Sequence, residues 1–223
     1  MRIVKLLGLL AGICWLGGTT PVLASSFSFG GSFAQDDNRS SAEFTIVSNA
    51  TVSIQSWGFA GGVDPIGATI LPGGFATVLS IFDSTGNLAA GFDTGGTAPG
   101  ACSPRNIDPV SGFCLDAYLQ VSLSAGTYTA VLTELDNVPI GPTFADGFTQ
   151  DGQGNFTGPE NLGGPGSFIA PFGYQRTANF QYSISGADTA RSLDAASIPE
   201  PASTLLMVSA LAVLATLRAQ RKA

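Results

Sequence analysis

The body of this chain is written in period two. Ala42–Val47, Thr51–Trp57, Ala76–Phe82, Ala117–Leu123, Thr127–Thr133 and Asn179–Ser185 have strand length and are rich in β-branched and aromatic residues. No stretch among them sustains a helical period. In the clearest run Ala117, Leu119, Val121 and Leu123 point one way and Tyr118, Gln120 and Ser122 the other, the pattern of a strand with one face on a core. Ser124-Ala125-Gly126 then allows a tight turn. This run and the next, through Tyr128, Ala130 and Leu132, are therefore expected to form a hairpin. Seven or more short strands without helices predict an all-β fold, an antiparallel sandwich or jelly roll. Loops 58–74, 83–116 and 135–172 are long for a compact domain, where such loops carry function or local order.

Both ends of the chain differ from this body. Arg2 and Lys5 precede an apolar run from Leu6 to Leu16, and Val22-Leu23-Ala24 is a small-residue cleavage site. These are the parts of a cleavable signal peptide spanning residues 1–24, read by the Sec translocon, with the mature chain beginning at Ser25. At the other end Ala202 to Leu217 is a stretch of sixteen residues without a charge. As a single hydrophobic helix it spans about 24 Å, short for a hydrocarbon core of about 30 Å unless its flanks snorkel. Arg218, Arg221 and Lys222 follow directly, and positive charge there resists translocation, which leaves the body outside the inner membrane. The β-sandwich domain is expected over residues 25–185, a polar linker over 186–198 and the tail over 199–223.

Charge separates the body from its ends. Ser25 to Ile198 holds fifteen acids against four arginines, a net of about −11, and no lysine. A phosphate backbone needs several cationic contacts, so nucleic acid is excluded as a partner, and an anionic lipid surface is equally poor. Cys102 and Cys114 lie twelve residues apart, and in an oxidising compartment the pair is expected to close a disulfide loop. Metal ligation is the alternative, but two thiols in a chain without histidine fall short of a zinc set.

The missing histidine also bounds the chemistry. A Ser-His-Asp triad and a Cys-His pair are both impossible, so the expected function is not enzymatic. Hard-cation binding fits the composition better, because calcium takes oxygens from flexible, Gly-containing loops. The candidate ligands form three groups: Asp36 and Asp37 with Asn38, then Asp83, Asp93 and Asp116 with Asn87, then Asp151 and Asn155 with Asp146. The same residues are what tight turns use beside glycine. Trp57, Phe59, Tyr174, Phe144, Phe148, Phe156, Phe168 and Phe172 include candidates for a sugar-stacking platform, although most aromatics of a sandwich are core.

Two family resemblances extend this reading. Pro199-Glu200-Pro201, the hydrophobic segment and the basic end through Arg218 and Arg221 resemble the tripartite C-terminal signal of PEP-CTERM proteins. The resemblance implies that an exosortase recognises Pro199, Glu200 and Pro201 and removes the helix. The product is then exported to the cell surface or medium after transient anchoring in the inner membrane. Phe82-Asp83-Ser84-Thr85-Gly86-Asn87-Leu88, with Asp93, Asp116 and Leu123-Ser124-Ala125-Gly126-Thr127-Tyr128, is similar to bacterial pre-peptidase C-terminal domains over roughly Phe27 to Glu134. That likeness implies a jelly-roll sandwich, often calcium-stabilised, with some members binding extracellular polymers. The expected function is a non-catalytic component of the envelope or of the exopolysaccharide matrix of a biofilm. A carbohydrate-binding, lectin-like module for extracellular polysaccharide is the alternative.

Overall fold

A computed structural model describes residues 25–95, 102–158 and 166–194. The signal peptide with Ala24 and the C-terminal tail with Pro199, Glu200, Pro201, Arg218 and Arg221 lie outside the described residues. Among the described residues no helix is long and apolar enough to cross a membrane.

The strands in chain order are β1 (Ser25–Ser32), β2 (Ser40–Ile46), β3 (Ala50–Ser56), β4 (Gly62–Val63), β5 (Thr69–Ile70), β6 (Thr77–Asp83) and β7 (Leu88–Asp93). They continue with β8 (Tyr118–Leu123), β9 (Gly126–Glu134), β10 (Ile169–Ala170), β11 (Tyr174–Gln175), β12 (Asn179–Ala187) and β13 (Thr189–Ser192). Nine of them build two antiparallel sheets, one ordered β1-β12-β3-β8 and the other β13-β2-β9-β6-β7. The short pairs β4-β5 and β10-β11 decorate the long loops. Val52, Ile54, Leu123, Tyr182 and Ile184 of the first sheet meet Phe44, Leu79, Ile81, Ala130 and Leu132 of the second in one buried core. The all-β antiparallel sandwich expected from the pattern is the fold.

The hairpin expected between the fourth and fifth runs does not form. β8 pairs with β3 in the four-stranded sheet, whereas β9 pairs with β2 and β6 in the five-stranded one. The 124–125 connection crosses between sheets instead of turning within one. None of Ser124, Ala125 and Gly126 has positive φ, which a two-residue hairpin turn of the favoured types would require. The Tyr128 hydroxyl donates to the Ser124 carbonyl at 2.9 Å and holds the corner. Ala125 N–H donates to Asn49 Oδ1 of the neighbouring crossing, between β2 and β3, at 3.2 Å. Either topology satisfies the alternation, because both point the apolar faces of β8 and β9 at a core.

The turn at Asp83 behaves as its residues predict. β6 and β7 pair antiparallel, and Gly86 turns the chain at φ +85°. Asp83 Oδ1 accepts from the N–H groups of Thr85 and Asn87. The second long loop is accordingly shorter than expected, since β7 occupies its first part.

A second correction falls at the end of the domain. The linker expected from Gly186 is folded: β12 runs on to Ala187, and β13 adds an edge strand to β2. Gly186 is the device that permits it. Its φ is +89°, a Cβ there would lie 2.4 Å from the Thr51 carbonyl oxygen, and the β1-β12 register slips beside it. Such a bulge bends the strand toward the other sheet. Arg191 then faces Glu43 across the strands at 2.8 Å.

What remains of the second loop is tied down twice. Cys102 and Cys114 form the expected disulfide, with Cα atoms 5.4 Å apart. Arg176 reaches in from beyond β11 and grips Asp108 with both guanidinium nitrogens, at 3.2 and 2.6 Å. Its guanidinium lies over the Phe59 ring, 4.1 Å from the centroid. Burial pushes the Asp108 carboxyl up, but the Arg176 and Ser111 donors outweigh it and hold the group below its ordinary value. Replacing both cysteines by serine should lower the unfolding free energy by about 3 kcal/mol in urea titrations, and an unchanged midpoint would contradict the closure. Arg176→Ala should cost about 3–5 kcal/mol because it strands a buried carboxylate. Adding Asp108→Leu to Arg176→Met should cost less than the sum of the two single changes.

Candidate functional site

The acids singled out in the sequence are mostly acceptors for the chain's own N–H groups. Asp36 Oδ1 takes the Phe168 N–H at 2.8 Å, while its Oδ2 takes the Thr157 N–H at 2.9 Å and the Thr157 hydroxyl. Asp37 accepts from Gly154 N–H at 2.8 Å, and Asn155 Oδ1 accepts from Asp36 N–H at 3.2 Å. The first and third candidate groups therefore do come together, as a hydrogen-bonded seam. Asp151 accepts from Phe148 N–H at 2.9 Å and faces Arg39 at 3.6 Å.

The second group disperses. Asp83 stays at the β6-β7 turn, where the Thr85 side chain and Asn87 backbone hold its carboxyl below the usual range. Asp93, at the opposite end of β7, binds Arg105 at 2.6 Å and Tyr118 N–H at 2.8 Å. Asp116 is buried where the two sheets meet and takes Phe59 N–H, Ala60 N–H and the Ser56 hydroxyl at 3.1, 2.8 and 2.9 Å. Burial pushes its carboxyl up against those three donors. Among the described residues no three or more carboxylates or thiols are gathered in a way that could hold a metal ion.

One buried acid breaks the rule. Glu134 ends β9, in phase with Tyr128, Ala130 and Leu132, and is 1 % exposed. Its Oε2 is buried and has no hydrogen-bond partner among the described residues. Burial raises its carboxyl well above the ordinary 4.5, and the nearby negative charges of Asp36 and Asp136 raise it further. All four arginines of the body are paired elsewhere, with Asp151, Asp93, Asp108 and Glu43.

Glu134 lies in the wall of a polar cleft of about 690 Å³, shared with Asp136, Gln150, Gln153, Asn155 and Phe172. Asp136, Phe168 and Phe172 are the non-glycine residues with positive φ among those described, and the first and last line this cleft. Phe172 is 73 % exposed and stacks on Phe113 with centroids 4.9 Å apart. Of the other aromatic candidates, Trp57, Phe59, Phe148 and Phe168 are buried, Tyr174 and Phe156 are half-buried, and Phe144 is partly open. Glu134 carried a signal in the sequence: it is an acid at a core-facing position of an alternating strand. No family model matches the chain, and no curated protein matches it.

The sign of the Glu134 effect on stability follows from its raised value. A carboxyl held above its unfolded value contributes fully below about 4.5, and that contribution is lost as pH rises through the folded value. Glu134→Gln mimics the protonated form. By calorimetry the variant should melt several degrees above the parent at pH 7.5, with the gap closing toward pH 5. Equal melting at both pH values would show that the carboxyl is not under this strain.

Proposed function

We propose that this is a non-catalytic, exported β-sandwich protein, a PEP-CTERM-type exosortase substrate that serves in the envelope or exopolysaccharide matrix. The single observation that carries the reading is the order Pro199-Glu200-Pro201, apolar segment, basic end, set behind an acidic body without lysine. Three further features support it. β1 begins at Ser25, so cleavage after Ala24 leaves the first strand whole. The last described strand, β13, ends at Ser192, so removal of the tail beyond Pro199 leaves every described strand intact. The Cys102–Cys114 disulfide suits an oxidising compartment. The chain also lacks the histidine that most hydrolytic nucleophiles need.

The second reading is a carbohydrate-binding module, favoured by the polar cleft with an exposed phenylalanine at its edge. The two are compatible, since a matrix protein gains from holding the polymer around it.

The test is the intact mass and location of the native protein in a producing strain. Loss of residues 1–24 and of the segment beyond Pro199 or Glu200, with the product outside the cell, is the expected result. A full-length tail held in the inner membrane would sink the exosortase reading.

A further inference from the structure

We propose that the cleft beside Glu134 binds uncharged, polyhydroxylated chains, that is, neutral glycans, with Phe172 as the stacking face and Glu134, Gln150 and Gln153 as hydrogen-bond partners. The inference rests on the carbohydrate reading above and names the site and the class of ligand.

Elimination narrows the ligand. Anionic polymers would meet the carboxyl of Asp136, with the Asp36 carboxylate buried close by and every arginine of the body already paired. A hard cation is best held by several converging carboxylates, and among the described residues no three carboxylates are gathered. A lipid or other apolar ligand would need a mostly apolar cavity, whereas six of the eleven lining residues here carry carboxyl, amide or hydroxyl groups, set among Phe156, Phe172 and three aliphatic side chains. What remains is a neutral ligand with many hydroxyls, each able to donate and accept.

The geometry then supplies both halves of sugar recognition. Phe172 is held on a left-handed backbone at φ +64° with its ring backed by Phe113, so it stays in the open as a rigid face. Non-glycine residues hold that conformation at a cost, and such sites cluster where a ligand is gripped. Within the cleft, a buried carboxyl oxygen without a partner loses the hydrogen bonds it had in water. A ligand hydroxyl restores one if the carboxyl turns outward into the cleft, since the oxygen is closed to solvent in this structure. Gln150 and Gln153 line the same cleft. The volume lies within the roughly 300–1,000 Å³ of small-ligand sites.

The experiment is affinity electrophoresis of the full-length protein through gels containing dextran, laminarin, galactomannan or xyloglucan, with polygalacturonate as the anionic counterpart. At least one neutral polymer should retard the protein, and polygalacturonate should not. Phe172→Ala removes an exposed ring and should raise the half-retarding concentration about tenfold or more. Asp136→Asn keeps a residue that tolerates positive φ and should preserve retardation by the neutral polymer while weakening exclusion of polygalacturonate. Indifference to all four neutral polymers, preference for polygalacturonate, or equal retardation of Phe172→Ala and parent would each overturn the proposal. A protein that is exported and trimmed yet not retarded fails here alone. A protein that is retarded but held uncut in the membrane fails only the export reading.

Discussion

Buried carboxylates that accept backbone N–H groups are the interaction on which this sandwich depends. A fold with long loops and only short helical turns among the described residues must find acceptors for many N–H groups outside the strand ladders, because leaving one buried and unpaired costs as much as a lost hydrogen bond. Asp116 does this where the sheets meet, and the Ser56 hydroxyl beside it contacts the Thr77 hydroxyl of the opposite sheet at 2.6 Å. Asp36 fastens Thr157 and Phe168, both within the third loop, to the segment between β1 and β2. Asp64 accepts from Ile66 and Ala68 and secures the first loop. Asp108 combines the same work with an ion pair to Arg176. Much of the acidity of the body is therefore internal scaffolding.

The loops so fastened are not excess chain. The third one lays Phe148 over Phe82 and Val131 and gives the outer face of the five-stranded sheet a small core of its own. This is why β9 is buried at both Leu132 and Thr133, on opposite faces of one strand. The second loop brings Leu115 against Phe59, Ala60 and Ala76. Each satellite cluster needs both an apolar side chain from the loop and a carboxylate to hold the loop's backbone, and the two requirements fall on neighbouring residues, Leu115 beside Asp116 and Phe148 near Asp151.

Glu134 gains its meaning from this background. Asp36, Asp64, Asp108 and Asp116 are buried and engaged as acceptors, whereas Glu134 is buried with no partner for its Oε2 among the described residues. A group of that kind lowers stability, and its place in the wall of an open polar cleft makes a bound partner the natural source of compensation. The stretch of chain that forms the cleft also contains the left-handed backbone positions of Asp136 and Phe172.

The alternation of residues was enough to place six of the nine main strands, and in β8 and β9 the face turned to the core, because period two follows from the geometry of a single strand. The disulfide and the Asp83 turn were equally legible, being local in sequence. β1 was missed although Phe27 and Phe29 alternate with serines, because Gly30 and Gly31 weaken the pattern and its core partners lie on β12, more than 150 residues away. The 124–125 crossing and the return of β13 to β2 could not be read, since alternation specifies a face and says nothing about which sheet supplies the neighbour. The same limit applies to the acids. Composition counts them, but whether a carboxylate meets an N–H, an arginine or nothing is a through-space fact, and only the tertiary structure could separate Asp36 and Asp116 from Glu134.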